Sequence, residues 1–288
     1  MIKNIKDILS TKKKRALLHI NVSTYEQLKA GIEAVKKTKI PLIIGVSEGE
    51  REFLGINYFE DLIDEAQEQG INVYCNADHT KDLKKAFEAI NYDFDCVLYD
   101  GSELDFKKNL INTKKVVNYR NQLNKKTLIE GEIGYLTGHS DIEDLIELKE
   151  EYFTQPETAS LFVKETGVDL LAISVGNVHG IPQKIKFKGK ILNKPAIDFK
   201  KIKEIKKQVK IPLVLHGGSG LTKKDFIQAI ESGISIIHIN TELRKIWKKT
   251  LSSLIKKKTL VPYKILPELV EKLENKIIYY QKLFWHLI

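Results

Sequence analysis

Eight apolar, β-branched runs alternate with amphipathic helical stretches along the 288 residues, and polar residues gather where those runs end. Together these features predict an α/β fold, a (β/α)8 TIM barrel with an extra C-terminal helix. The runs are Ala16–Asn21, Ile40–Val46, Ile71–Asn76, Phe94–Tyr99, Thr127–Ile133, Val168–Val175, Ile211–His216 and Ile234–Ile239. Segments such as P-L-I-I-G-V, I-P-L-V-L-H and I-S-I-I-H-I are continuously apolar, as strands of a parallel sheet buried on both faces must be. A doubly wound open sheet is the competing architecture. The barrel is favoured by Asn21, Ser47, Asp78, His79, Asp100, Glu132, His179, His216, Ser219, His238, Asn240 and Thr241, which all fall at or just past a strand's C-terminal end. A barrel gathers those ends on one face, where active sites lie, whereas an open sheet spreads them along a line.

Helical patterns fill the intervals. Thr24–Val35 puts Leu28, Ile32 and Val35 on one face; Phe59–Gln69, Lys81–Ile90 and Phe106–Leu123 follow. T-Q-P-E opens another helix, with Thr154 as cap and Glu157 closing a capping box. Phe199–Val209, Thr222–Glu231 and Thr241–Leu254 come next, and a last helix runs over about Leu266–Leu283. The chain therefore reads as one barrel domain over residues 1–288, with 263–288 as a helical extension. The acidic stretch Thr137–Phe153 reads as a long lid-like loop after strand five whose tail forms a short helix.

Composition narrows the function classes. With 42% hydrophobic and 30% charged residues the chain is an ordinary globular protein with ample core. The charged N-terminus lacks the apolar run of a signal peptide, and no apolar stretch approaches the roughly 20 residues of a membrane span. Cys75 and Cys96 each sit in an apolar run, so buried free thiols and a cytoplasmic location are expected. The net charge of +9 comes almost wholly from lysines spread over helix faces, with dense runs only at Lys12–Lys14 and Lys256–Lys258. Arginine, the preferred base reader, is scarce, so a nucleic-acid role is disfavoured against a solvated surface that attracts anionic substrates.

Chemistry concentrates in the histidines. His79 follows Asp78 in N-A-D-H-T, His179 lies in S-V-G-N-V-H-G, and His216 opens H-G-G-S-G. Imidazoles converging from separate strands form a natural zinc site with an open position for substrate. His19, His139 and His286 read as structural or solvated. Asp78 is placed to act as a general acid if the site raises its pKa, the alternative being a helix cap. Glu132 is a candidate extra metal ligand or water-holding carboxylate; of Glu130 and Glu132, one is expected to face the barrel interior and the other not to follow it. Gly217, Gly218, Ser219, Asn240 and Thr241 stand where barrels bind phosphate, after strands seven and eight and at a helix N-terminus, and the G-N-V-H-G turn adds Gly180.

These residues resemble the class II, zinc-dependent fructose-bisphosphate aldolase family along most of the chain, from about Ala16 to Phe284. A-D-H, L-Y-D-G-S and E-G-E-I-G are similar to its blocks after strands three, four and five. T-Q-P-E-T-A-S-L-F-V-K-E-T-G-V-D-L-L-A-I-S-V-G-N-V-H-G and I-P-L-V-L-H-G-G-S-G extend the match in order and spacing. The resemblance implies reversible cleavage of a ketose 1,6-bisphosphate, fructose 1,6-bisphosphate in the common case, to dihydroxyacetone phosphate and glyceraldehyde 3-phosphate, a step of glycolysis and gluconeogenesis. It implies one catalytic Zn2+ on His79, His179 and His216, with Glu132 at an alternative metal position, and leaves open a second divalent or a monovalent cation. Iron or cobalt suits the same ligands. Asp78 would handle the proton of the C4 hydroxyl. Gly180, Gly217, Ser219, Asn240 and Thr241 would hold the phosphate of the three-carbon product, and Asn21 and Ser47 match polar positions after strands one and two. The family forms dimers or tetramers, so a homo-oligomer is expected.

Two positions depart from the family pattern. His238 stands on strand eight where the family has an asparagine that contacts the three-carbon unit, which puts rate, pH profile and substrate in question. The loop after strand five reads G-H-S-D-I-E-D instead of G-G-x-E-D, so Glu143, then Asp141, is the candidate for the glutamate acting on the C3 proton. No arginine for the second phosphate is legible. An aldolase for tagatose 1,6-bisphosphate or another sugar phosphate, and a non-catalytic sugar-phosphate-binding barrel, are the competing readings.

Overall fold

The computed structural model describes residues 5–10, 14–138 and 145–288. The strands are β1 (Leu17–Asn21), β2 (Leu42–Val46), β3 (Val73–Thr80), β4 (Cys96–Tyr99), β5 (Leu128–Ile133), β6 (Leu145–Leu148), β7 (Leu170–Ile173), β8 (Lys184–Phe187), β9 (Lys190–Leu192), β10 (Leu213–Leu215) and β11 (Ile234–Ile239). The helices are α1 (Ile5–Leu9), α2 (Tyr25–Thr38), α3 (Glu48–Leu54), α4 (Ile56–Glu68), α5 (Leu83–Asn91), α6 (Phe106–Gln122), α7 (Pro156–Thr166), α8 (Phe199–Gln208), α9 (Lys223–Ser232), α10 (Thr241–Leu254) and α11 (Pro262–Phe284).

Eight parallel strands close in the order β1-β11-β10-β7-β5-β4-β3-β2, a (β/α)8 barrel. Each of the eight expected strands is one of its staves. The larger core cluster, including Leu18, Ile44, Phe59, Phe162 and Phe284, lies between strands and helices. A second cluster of Leu17, Ile43, Tyr74, Cys96, Leu128, Val214 and Ile236 closes the N-terminal end of the barrel, where α1 seats Ile5 and Ile8. Cys75 and Cys96 are free and buried. With its apolar end plugged, the barrel's opposite end carries the buried polar side chains.

Several elements depart from the sequence reading. The turn after β2 is helical: α3 is short, and Ser47 caps it in a capping box with Glu50. The tail of the acidic loop holds the expected short helix, a 3-10 turn at Glu150–Tyr152, but β6 precedes it. β6 pairs with β8, and β8 with β9, in a small separate sheet that buries Ile146, Leu148 and Ile185 with Phe153 and Val178. The tight β8–β9 turn has positive φ at Lys188 (49°) and Gly189 (73°), the geometry that suits a twisted hairpin. Thr154 does not cap α7. Gln155 occupies that position and Pro156 opens the helix. The Thr154 hydroxyl instead donates to the Ile133 carbonyl at 2.7 Å and accepts from the Ser174 N–H at 2.9 Å, stapling β5 to the end of β7. Two buried strand-end groups thus compete with the helix N-terminus for this hydroxyl and win.

Candidate active site

The strand ends surround a cavity of about 330 Å³. Its walls include Asn21, Ser47, Asp78, His79, Glu132, His179, Gly180, His216, Gly217, Ser219, His238, Asn240 and Thr241, so the described candidate residues meet in one place. Glu143, Asp141 and His139 lie outside the described residues. Asp78 is not a helix cap, since Asp82 caps α5.

A distortion at the end of β3 builds the first part of the site. In a regular strand Asp78 and His79 would point to opposite faces. Here His79 has φ +39° and the β3–β4 register shifts between Ala77 and Thr80, so both side chains line the cavity. A left-handed backbone at a non-glycine residue costs on the order of 1 kcal/mol or more and persists only where its surroundings hold it.

Those surroundings are carboxylates. His79 Nδ1 lies 2.9 Å from Asp100 Oδ2, while Asp100 Oδ1 accepts from the Ser102 hydroxyl at 2.6 Å and its N–H at 3.1 Å. His216 Nε2 lies 3.0 Å from Glu130 Oε1. With each outer nitrogen donating to a carboxylate, His79 Nε2 and His216 Nδ1 face each other at 3.0 Å, two lone pairs unless a proton or a cation lies between them. That arrangement calls for a positive charge between them. The His179 ring lies edge-on to both at longer range, with centroids 5.0 Å from His79 and 6.3 Å from His216, and its nitrogens stand outside the ligand-distance groups of the site. Burial pushes the His179 pKa down to about 3, keeping it a neutral donor. Burial also opposes charge on His79, but Asp78, Asp100 and Glu132 outweigh it and raise the pKa to about 10. Burial, with Asp100 adding, pushes Glu132 up to about 7, and its Oε2 has no hydrogen-bond partner. Two ligand-distance groups, Asp78–His79–His216 and His79–Asp100–Glu132, share His79. Converging imidazoles, outer nitrogens fixed by carboxylates and excess buried negative charge fit a divalent cation.

Two expectations change here. Glu130 and Glu132 both face the barrel interior, because residues two apart on a strand share a face. Asp78 is not a carboxylic acid with a raised pKa. Burial would raise it, but His79, His19, His216 and the Asn21 amide (2.9 Å) outweigh burial and hold it below the usual carboxylate range. It is ionised.

The phosphate-side residues form a cradle. Gly217 has φ +63°, and a Cβ there would lie 2.1 Å from the Val178 carbonyl oxygen. Gly180 has φ +79°. The Asn177 side chain ties this turn down, accepting from the Val175 N–H at 2.8 Å and donating to the His216 carbonyl at 3.0 Å. Asn240 and Thr241 begin α10, whose N-terminal N–H groups and dipole favour an anion.

The sequence reading passed over several residues of the site. Glu50 is buried and accepts from Asn21 (3.0 Å), the Ser23 hydroxyl (2.9 Å), the Ser47 N–H (2.8 Å) and Arg244 (2.7 Å). Arg244 and Lys81 line the cavity as its cations. Arg244 is one turn into α10, a position that only the fold brings beside Asn21 and Ser47. His19, read as structural, is fully buried and stacks on His238.

A family model described as class II fructose-bisphosphate aldolase matches residues 3–285. The chain is 32% identical to the protein YdjI of Escherichia coli K12 over 238 residues, covering 81% of this chain and 80% of that one. The crystal structure of the YdjI aldolase superposes with a TM-score of 0.81 at 26% identity, covering 99% and 97% of the two chains. A fructose-bisphosphate aldolase of Staphylococcus aureus is 34% identical over 228 residues, 77% of this chain and 74% of that one. A sulfofructosephosphate aldolase of Alkalicoccus urumqiensis is 34% identical over 220 residues, 76% and 72% of the two. Among the described residues no helix is long and apolar enough to cross a membrane.

Proposed function

This chain belongs to the class II fructose-bisphosphate aldolase family, and on that premise we propose that it reversibly cleaves fructose 1,6-bisphosphate to dihydroxyacetone phosphate and glyceraldehyde 3-phosphate with a divalent metal ion. The observation that carries the reading is the 3.0 Å convergence of the inner nitrogens of His79 and His216, each ring held from outside by a carboxylate. His79, His179 and His216 are the ligands we assign, with Glu132 as an alternative donor and zinc as the ion. Bound there, the cation would supply Lewis-acid stabilisation of the charge released as the C3–C4 bond breaks. The chain's own groups do the rest. Gly180, Gly217, Ser219, Asn240 and Thr241 grip the phosphate of the three-carbon half and fix its orientation. Asp78, ionised, takes the C4 hydroxyl proton, so the departing half leaves as an aldehyde. The three-carbon half then needs a proton at C3, the role given to Glu143. The reaction needs no lysine Schiff base.

For the second phosphate we assign Asn21, Ser47 and Arg244, which line the same cavity, with Lys81 as a further cation of its wall. A second reading, cleavage of a sulfofructose phosphate, is supported by a relative as similar as the fructose-bisphosphate enzyme, at 34% identity. A sulfonate carries one charge less than a phosphate dianion, and Arg244 is already paired with Glu50. We further propose that the enzyme works as a homo-oligomer. Comparing kcat/KM for fructose 1,6-bisphosphate, tagatose 1,6-bisphosphate and 6-deoxy-6-sulfofructose 1-phosphate tests the substrate. The fructose bisphosphate is expected to lead the sulfonate by about tenfold or more, since one charge-assisted hydrogen bond is worth that much, and to lead its C4 epimer, the tagatose bisphosphate, through the contact of Asp78 with the C4 hydroxyl. A higher value for either competitor overturns the proposal.

A further inference from the structure

His19 sits on β1 directly across the ladder from His238 on β11, the two being partners in register. Their rings stack with centroids 3.6 Å apart and planes 5° from parallel. The other face of His238 is covered by His216, at 3.9 Å and 25°. His238 is therefore a plate between two plates. Its Nδ1 edge faces Asp78 Oδ1 at 3.7 Å, and its Nε2 has no hydrogen-bond partner.

His19 is absent from the cavity wall and fully buried, so it does not reach a bound molecule itself. Two further features hold it in place. The Asn76 amide lies 3.0 Å from its Nε2. Gly45, on β2, leaves it room: a Cβ there would lie 2.4 Å from His19 Cε1 and Nε2. Cross-strand register, stacking, a side-chain hydrogen bond and a missing side chain on the neighbouring strand all converge on one ring.

We infer that His19 is a positioning residue that clamps the His238 ring, fixing the edge that His238 presents to the three-carbon half of the substrate. The inference rests on the proposed function for its kinetic consequence, but not for the clamp. Without the His19 plate, one face of His238 opens onto a void and the ring can tilt about its Cβ–Cγ bond. Misplacing a group that orients substrate by about 1 Å costs up to about a hundredfold in rate. Asparagine, which the family carries at the His238 position, is shorter and has no ring to clamp, so His19 is coupled to the histidine in particular.

The test uses the full-length, zinc-loaded protein with His19→Ala and Gly45→Ala, each alone and combined with His238→Asn. Gly45→Ala displaces the His19 ring without removing it, so the two variants reach the same end by different routes. Kinetics of fructose 1,6-bisphosphate cleavage are read together with long-range 1H–15N spectra of the histidine rings, in which His238→Asn assigns the His238 signals. Either variant alone should lower kcat by about tenfold or more while KM moves less than about threefold. In the His238→Asn background the same changes should alter kcat by less than about twofold. The His238 ring signals, a single sharp set in the parent, should shift and broaden in both variants. Equal losses of kcat in both backgrounds, or unmoved His238 signals, overturn the proposal. Should the parent cleave no ketose phosphate at all, the functional reading fails, and the ring spectra alone decide whether His19 holds His238.

Discussion

Replacing Asp100 by asparagine should weaken zinc binding about 10–100-fold without unfolding the protein, although Asp100 is not among the assigned ligands. The magnitude follows from its contacts. Asp100 Oδ2 is the acceptor 2.9 Å from His79 Nδ1, and Oδ1 is engaged by Ser102. An asparagine that keeps its oxygen on Ser102 turns its NH2 toward a ring nitrogen that needs an acceptor. The loss is one hydrogen bond to a charged group, about 1.5–3 kcal/mol. A 10–100-fold drop in affinity is about 1.4–2.7 kcal/mol, so the two routes agree. The effect should be concentrated at His79, because its φ of +39° is a strained conformation and the Asp100 carboxylate is the nearest acceptor to its Nδ1, with Glu132 farther off at 3.7 Å. The assay is competition for Zn2+ against a chromophoric chelator at fixed pH, with a melting curve of the metal-free protein alongside. Zinc affinity within about twofold of the parent, with folding intact, would refute the idea that Asp100 sets the His79 ring for a metal.

Further expectations concern the two ends of the cavity and the strand staple. Gly217→Ala places a Cβ against the Val178 carbonyl at a positive φ, so the turn must move; inhibition by dihydroxyacetone phosphate should weaken by about tenfold or more, measured as a competitive Ki. Arg244→Ala should raise KM for a ketose bisphosphate about tenfold while a ketose 1-phosphate is affected less, and equal effects on both would refute its assignment to the second phosphate. Thr154→Val leaves the Ser174 N–H and the Ile133 carbonyl without their partner, for a loss of about 1–3 kcal/mol in urea unfolding; a change below about 0.5 kcal/mol would mean that water replaces the hydroxyl.

The barrel was legible because each stave is an apolar run and each run ends in a polar residue, two signals that report the same burial. The elements that escaped notice carry weaker local signals. The sequence of α3, E-G-E-R-E-F-L, has a single apolar end, and its helix is fixed by Glu50 reaching back to Ser47 and across to Asn21 and Arg244. β6, β8 and β9 are short, and β6 lies far from the other two in sequence, although the alternation in K-I-K-F-K-G-K-I-L is a hairpin pattern. His179 and His216 stood out by their glycine turns and His79 by the aspartate before it, but the orientation of His79 and His216 did not, since it depends on Asp100 and Glu130 from other strands. The shared face of Glu130 and Glu132 follows from strand periodicity alone. The stacking of His19 on His238 was not legible because nothing beside it in sequence points to His238; only the barrel's closure between β1 and β11 brings the two rings together.

The most direct test of the account is fructose 1,6-bisphosphate cleavage by the purified protein before chelation, after chelation and after zinc is returned. Activity that disappears with the metal and comes back at about one equivalent of zinc per chain is the predicted result. Undiminished cleavage by metal-free protein, or none from protein carrying stoichiometric zinc, would contradict it.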